Sequence, residues 1–154
     1  MYLYSLLVLC GYRGRMRAQR VMAGPTIDLP GFEDSMAKIL LAEDDDSMRH
    51  FLSRALERAG HEVFAVGQGD EALPVLAEGR FDLLLADIVM PEMDGIELAR
   101  RAVAVDPRIR IMFITGFAAV ALRNRRTSQA DAKVLSKPFH LRDLVDEIDK
   151  TLAA

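Results

Sequence analysis

The feature that most restricts the fold is a set of short apolar runs with almost no polar interruption. They are ILLA at Ile39 to Ala42, FDLLLA at Phe81 to Ala86 and IRIMFI at Ile109 to Ile114. A strand with one wet face alternates apolar and polar residues, whereas a strand covered on both faces does not. Glu62 to Val66 and Lys133 to Ser136 read as two further strands. Each run stops at a polar residue, and the segments between them change to a helical period.

Met48, Phe51, Leu52, Ala55, Leu56 and Ala59 recur at helical spacing, with Asp46 or Ser47 able to cap the start and Gly60 placed for the C-terminal cap. A second helix opens at Asp70 and closes at Gly79, with Pro74 tolerable only close to its start. Ile96, Ala99, Ala102 and Val103 form the face of a third. Ala118 to about Asn124 makes a short fourth, and Leu141, Leu144, Val145, Ile148 and Leu152 a closing amphipathic helix. Strands alternating with helices require right-handed crossovers, so the predicted fold is α/β: a doubly wound, five-stranded parallel sheet with helices on both faces, of flavodoxin-like form.

Ligands of such sheets collect beyond the carboxyl ends of the strands. Those ends carry Glu43 and Asp44 after the first strand, Asp87 after the third, Thr115 after the fourth and Lys137 after the fifth. Three carboxylates held together raise one another's pKa unless a cation lies among them. A hard divalent ion that takes oxygen ligands and keeps several waters, Mg2+ above all, suits a loose acidic set of this kind. One carboxylate can then act as a nucleophile on phosphorus, while Lys137 and Thr115 neutralise and hydrogen-bond the transferred oxygens. Each residue alone is equally well read as a turn cap or a surface charge. Five of them at four strand ends in the right order favour the chemical reading.

Composition excludes other classes. Lys and Arg number 20 against 23 Asp and Glu, for a net charge of -3, and both signs are scattered, which gives no electrostatic footprint for nucleic acid or an anionic membrane. Beyond residue 35, Arg123, Arg125 and Arg126 form a local basic cluster, read as a solvated helix end rather than a phosphate-binding patch. Cys10 is the single cysteine, and His50, His61 and His140 have no metal-ligand spacing. A reducing cytoplasm fits. Residues 1 to 35 stand apart: Tyr2 to Tyr12 is apolar, Arg13 to Arg20 basic, and Gly24 to Gly31 broken by prolines. The basic stretch follows the apolar one, the reverse of a secretory signal, and the apolar run is too short for a membrane span. This extension reads as sequence upstream of a natural start at Met36 or as a disordered arm, with an amphipathic membrane anchor as the alternative.

The motifs ILLAEDD, LLLADIVMPEMDG, IMFITG and LSKPF together resemble the receiver domain of two-component response regulators, from about Lys38 to Leu152 within a domain of 36 to 154. The resemblance implies that Asp87 is the phosphoacceptor and that Glu43, Asp44, Asp87 and the Val89 backbone carbonyl hold Mg2+. It also implies that Thr115 is the hydroxyl of the switch strand, that Lys137 is the lysine of the phosphorylation site, and that the bond before Pro138 is cis. The phosphodonor is then a histidine kinase or a histidine phosphotransfer protein, and the domain assists its own phosphorylation without being an enzyme. FITGFAAVAL and LSKPFHLRDL, with no output domain after them, are similar to the CpdR group of single-domain regulators. That narrower resemblance implies control of ClpXP proteolysis through contact with ClpX, in the cytoplasm with recruitment to a cell pole. A phosphorelay intermediate or a diffusible chemotaxis-like switch is the alternative output.

Two positions depart from the receiver pattern. Val134 stands where many receivers have an aromatic switch residue, and Val89 and Phe117 flank the site without a polar group to position water, which predicts slow self-dephosphorylation. Asp44 and Asp46 also form a DxD like that of haloacid-dehalogenase phosphatases, but this leaves Asp87 without a role. A flavin binder has the fold class but needs a phosphate loop where these acids lie. The ending Leu152-Ala153-Ala154 reads either as a frayed helix end or as a degradation tail recognised by ClpX.

Overall fold

The computed structural model describes residues 36–116 and 132–154. Its elements run β1 (Lys38–Ala42), α1 (Asp46–Arg58), β2 (Glu62–Val66), α2 (Gly69–Glu78), β3 (Leu83–Asp87), α3 (Gly95–Val105), β4 (Arg110–Thr115), β5 (Lys133–Ser136) and α4 (Leu141–Ala153). The expected short helix from Ala118 lies outside the described residues, as do the extension, Phe117 and the arginines at 123, 125 and 126.

The strands are all parallel, in the order β2-β1-β3-β4-β5. Successive residues of one strand serve opposite faces. Leu40, Ala42, Leu84 and Ala86 therefore pack under α2 and α3 with Ala72, Leu76, Leu98, Ala99 and Ala102. Ile39, Leu41, Leu83 and Leu85 pack under α1 and α4 with Leu52, Leu56, Leu144 and Ile148. This double burial is why β1 from Ile39 to Ala42 and β3 from Leu83 to Ala86 are apolar at every position: each leucine is worth about 1.5–3 kcal/mol on whichever face it enters. The two edge strands, β2 and β5, have only partly covered or exposed side chains and carry mixed sequences.

The helix ends follow from local chemistry, with corrections to the sequence reading. Asp45, not Asp46 or Ser47, caps α1: its backbone is extended and its side chain accepts from Met48 N at 2.7 Å. At the other end Gly60 adopts a φ of 97°, while Gly60 N donates to Glu57 O and His61 N to Leu56 O, both at 3.1 Å. These are the paired bonds of a glycine-terminated helix. Pro74 is the sixth residue of α2, not at its start, so the carbonyl of Asp70 loses its intrahelical donor. Phe51, expected on the inner face of α1, is 54% exposed, and the helix buries Leu52 and Leu56 instead. Among the described residues no helix is long and apolar enough to cross a membrane.

Candidate functional site

The chain enters the sheet at β1, places β2 on one side and then β3 on the other, so the winding reverses between β1 and β3. A crevice opens at the carboxyl ends of strands flanking such a reversal. Ala42 pairs with Ala86 there, which sets Glu43 and Asp87 side by side as the next residues of adjacent strands. Thr115 ends β4, fully buried, and its carbonyl accepts the backbone N–H of Lys137 at 2.7 Å, so the end of β4 locates the residue that follows β5.

From that position Lys137 reaches over both acids. Its Nζ donates to Glu43 Oε2 at 2.8 Å and to Asp87 Oδ2 at 2.7 Å. The other Asp87 oxygen, Oδ1, accepts the Val89 N–H at 2.9 Å. Glu43 and Asp87 are buried, whereas Asp44 is exposed at the rim. Burial pushes the Glu43 carboxyl above its ordinary range, against the opposing pull of the Lys137 hydrogen bond and charge. At Lys137 burial pulls the pKa down, but its bonds and charges with Asp87 and Glu43 outweigh this and hold it above the usual lysine value. The cation among the acids is thus already supplied in part by the protein.

One oxygen each of Glu43, Asp44 and Asp87 lies within 4.8 Å of the others. Three hard oxygen donors at that spacing, two of them buried and one open to water, fit a hexahydrated-type cation that gives up only part of its shell. Asp45 and Asp46 stand outside the group: the first caps α1 and the second pairs with Arg49. Pairing Asp46 with Arg49 removes it from the DxD arrangement a phosphatase would need. The Lys137–Pro138 peptide is cis. Val134 is half-buried on β5 and packs against the core beneath α3.

Residue reading missed Gly95, whose role depends on an approach only the folded chain makes. A Cβ at this first residue of α3 would lie 2.1 Å from the Asp87 carbonyl oxygen. Gly95 N also donates to Ile88 O at 3.1 Å, closing the loop that follows the acid. The one available signal was a glycine opening a helix, where it is a poor helix former. Within that loop Glu92 has a φ of 63°, a conformation costing about 1–3 kcal/mol for a residue with a side chain.

A parallel sheet in the order 2-1-3-4-5, with acids at β1 and β3 and a lysine after β5, defines a class. The sequence matches the response regulator receiver domain family over residues 39–149, and the chain belongs to that family. It is a receiver-type signalling domain. The response regulator receiver protein CpdR of Brucella abortus (strain 2308) is 64% identical over 119 residues, covering 77% of this chain and 99% of that protein. Among solved structures, a CheY-like receiver domain from Methanospirillum hungatei JF-1 superposes with a TM-score of 0.71 at 31% identity, over 77% of this chain and 95% of the other. The response regulator TrrA of Thermotoga maritima, solved in complex with Mg2+ and BeF, gives 0.67 at 26% identity, over 75% and 99%.

Proposed function

We propose that residues 36 to 154 are a receiver in which Asp87 accepts a phosphoryl group from a phosphohistidine of a histidine kinase or phosphotransfer protein, with residues 1 to 35 an extension outside it. The observation that carries this reading is the Lys137 ammonium bridging Glu43 and Asp87 in a buried pocket whose third acid, Asp44, stays open to water.

In the transfer a carboxylate oxygen of Asp87 forms a bond to phosphorus as the phosphorus–nitrogen bond breaks; the nitrogen keeps the electron pair of that bond, and the ring leaves as neutral imidazole with one N–H, taken from solvent where the other ring nitrogen does not already carry it. Glu43, Asp44, Asp87 and the Val89 carbonyl would hold Mg2+, which when bound supplies positive charge to the transferred oxygens. Lys137, whose ammonium has a third N–H beyond those given to Glu43 and Asp87, supplies the remaining charge. Thr115 donates its hydroxyl to a phosphoryl oxygen. The Val89 N–H on Asp87 Oδ1 restrains the carboxylate, so that little reorganisation accompanies attack.

The identity to CpdR supports an output by protein contact, as a cytoplasmic, phosphorylation-controlled adaptor or regulator of ClpXP that is recruited to a cell pole. Two measurements test the reading. With Mg2+ and acetyl phosphate the wild type gains one acid-stable, base-labile phosphoryl group and Asp87→Asn gains none; labelling of the variant sinks the phosphoacceptor assignment. Immobilised protein retains purified ClpX without beryllofluoride and releases it with the analogue. Equal retention in both states removes the adaptor role while leaving the receiver intact.

A further inference from the structure

Arg49, which pairs with Asp46, also touches the backbone of two of the three acids. It lies in the first turn of α1 and folds back over the loop that α1 follows. Its Nη1 donates to the Glu43 carbonyl at 2.7 Å and lies 3.4 Å from the Asp44 carbonyl. Its Nη2 pairs with the Asp46 carboxylate. The side chain is only 23% exposed. On its far side a Cβ at Gly67 would stand 3.2 Å from Nη1, so the bare glycine after β2 leaves the guanidinium its space.

We propose that Arg49 is the positioning residue of the metal-binding acids: by holding the carbonyls of Glu43 and Asp44, it fixes the backbone angles that aim both carboxylates toward Asp87. The Glu43 N–H still donates to the β2 carbonyl of Val66 at 3.2 Å, but the Glu43 and Asp44 carbonyls lie past the end of β1, and it is Arg49 that meets both of them. A guanidinium suits the task because its planar donors can serve two carbonyls and a carboxylate at once, whereas an ammonium is a point charge. This inference rests on the reading of Glu43, Asp44 and Asp87 as a divalent-cation site.

The sign of the effect separates positioning from simple charge. Removing a positive group near a cation site and freeing the Asp46 carboxylate should tighten cation binding by Coulomb attraction alone. Loss of positioning should weaken it. The experiment is calorimetric titration of the full chain with Mn2+, without phosphodonor, for wild type, Arg49→Gln, Arg49→Lys and Asp44→Asn. Arg49→Gln should bind about tenfold more weakly, as expected for a group that orients metal ligands, with Arg49→Lys between it and wild type. Equal or tighter binding by Arg49→Gln overturns the proposal. If Arg49→Gln does not fold, Arg49→Lys decides: wild-type affinity overturns the role, and a several-fold loss supports it. Asp44→Asn separates the two levels: wild-type protein that binds no Mn2+ overturns the metal reading and this inference with it. Loss in Asp44→Asn with no change in Arg49→Gln overturns the inference alone.

Discussion

Lys137 Nζ sits 2.8 Å from Glu43 Oε2, joining residues 94 positions apart in the chain across the mouth of the sheet. The same ammonium holds Asp87, so two buried acids share one internal counter-ion. Lys137→Met should leave both uncompensated and lower the metal-free stability by about 1–3 kcal/mol. Added Mg2+ should restore more stability to the variant than to wild type, because a bound cation replaces the missing one. Urea unfolding with and without Mg2+ measures both, and an identical Mg2+ gain in the two proteins would count against the shared counter-ion.

Gly95→Ala places a methyl group on the Asp87 carbonyl, which must then move together with the loop from Ile88 to Asp94. A loss of about 1–3 kcal/mol is expected from the overpacking, together with slower labelling by acetyl phosphate. Full labelling rates in a destabilised Gly95→Ala would show that the loop backbone does not govern the reactivity of Asp87.

Beside the site, Asp45, Ser47, Met48, Phe51 and Lys137 line an open cleft of about 500 Å3, and Phe51 is more than half exposed at its edge. An exposed aromatic at the rim of a reactive group is suited to contact with a protein donor. Phe51→Ala should change stability by less than about 0.5 kcal/mol, slow phosphotransfer from a phosphohistidine protein and leave acetyl phosphate labelling unchanged. Equal slowing with both donors would place the effect on the chemistry instead.

Val89 exposes half of its side chain next to Asp87 and offers no polar atom to an attacking water. Val89→Asn should shorten the phosphoryl lifetime several-fold. An unchanged lifetime, followed by acid-quenched loss of label, rejects Val89 as the reason for a persistent signal.

Glu147 on α4 lies 3.0 Å from Lys133 on β5, and the hydrogen bond from that lysine holds the Glu147 carboxyl below the ordinary glutamate value of 4.5. A depressed folded pKa contributes stability above the unfolded value and loses it as pH falls through the folded one. Glu147→Gln should therefore cost about 0.2–1 kcal/mol near neutral pH, as exposed pairs do, with the difference closing as pH drops below 4.5. Urea midpoints at pH 7 and pH 3 give the comparison, and a gap of equal size at both would exclude the ionised carboxylate as its source.

The amino-acid pattern alone determined the class of fold. Continuous apolar strands such as Leu83 to Leu85 can be stable only under two layers, and helical spacing supplied the layers. It also marked Glu43, Asp44, Asp87, Thr115 and Lys137, because strand ends are visible wherever an apolar run meets a polar residue. Local competition was less legible: Asp45, Asp46 and Ser47 are all competent caps, and only the turn leaving β1 selects Asp45.

What the tertiary structure decided is everything that depends on an approach between distant segments. Lys137 bridges two acids because the end of β4 locates it; Gly95 must lack a side chain because α3 meets the Asp87 carbonyl; Arg49 finds the carbonyls of Glu43 and Asp44 because Gly67 leaves it room. Periodicity reports which face of an element is buried, through the average chemistry of that face. It carries no record of which single atoms come within 3 Å, since that is set by strand order and register, and these are fixed only when the whole sheet closes.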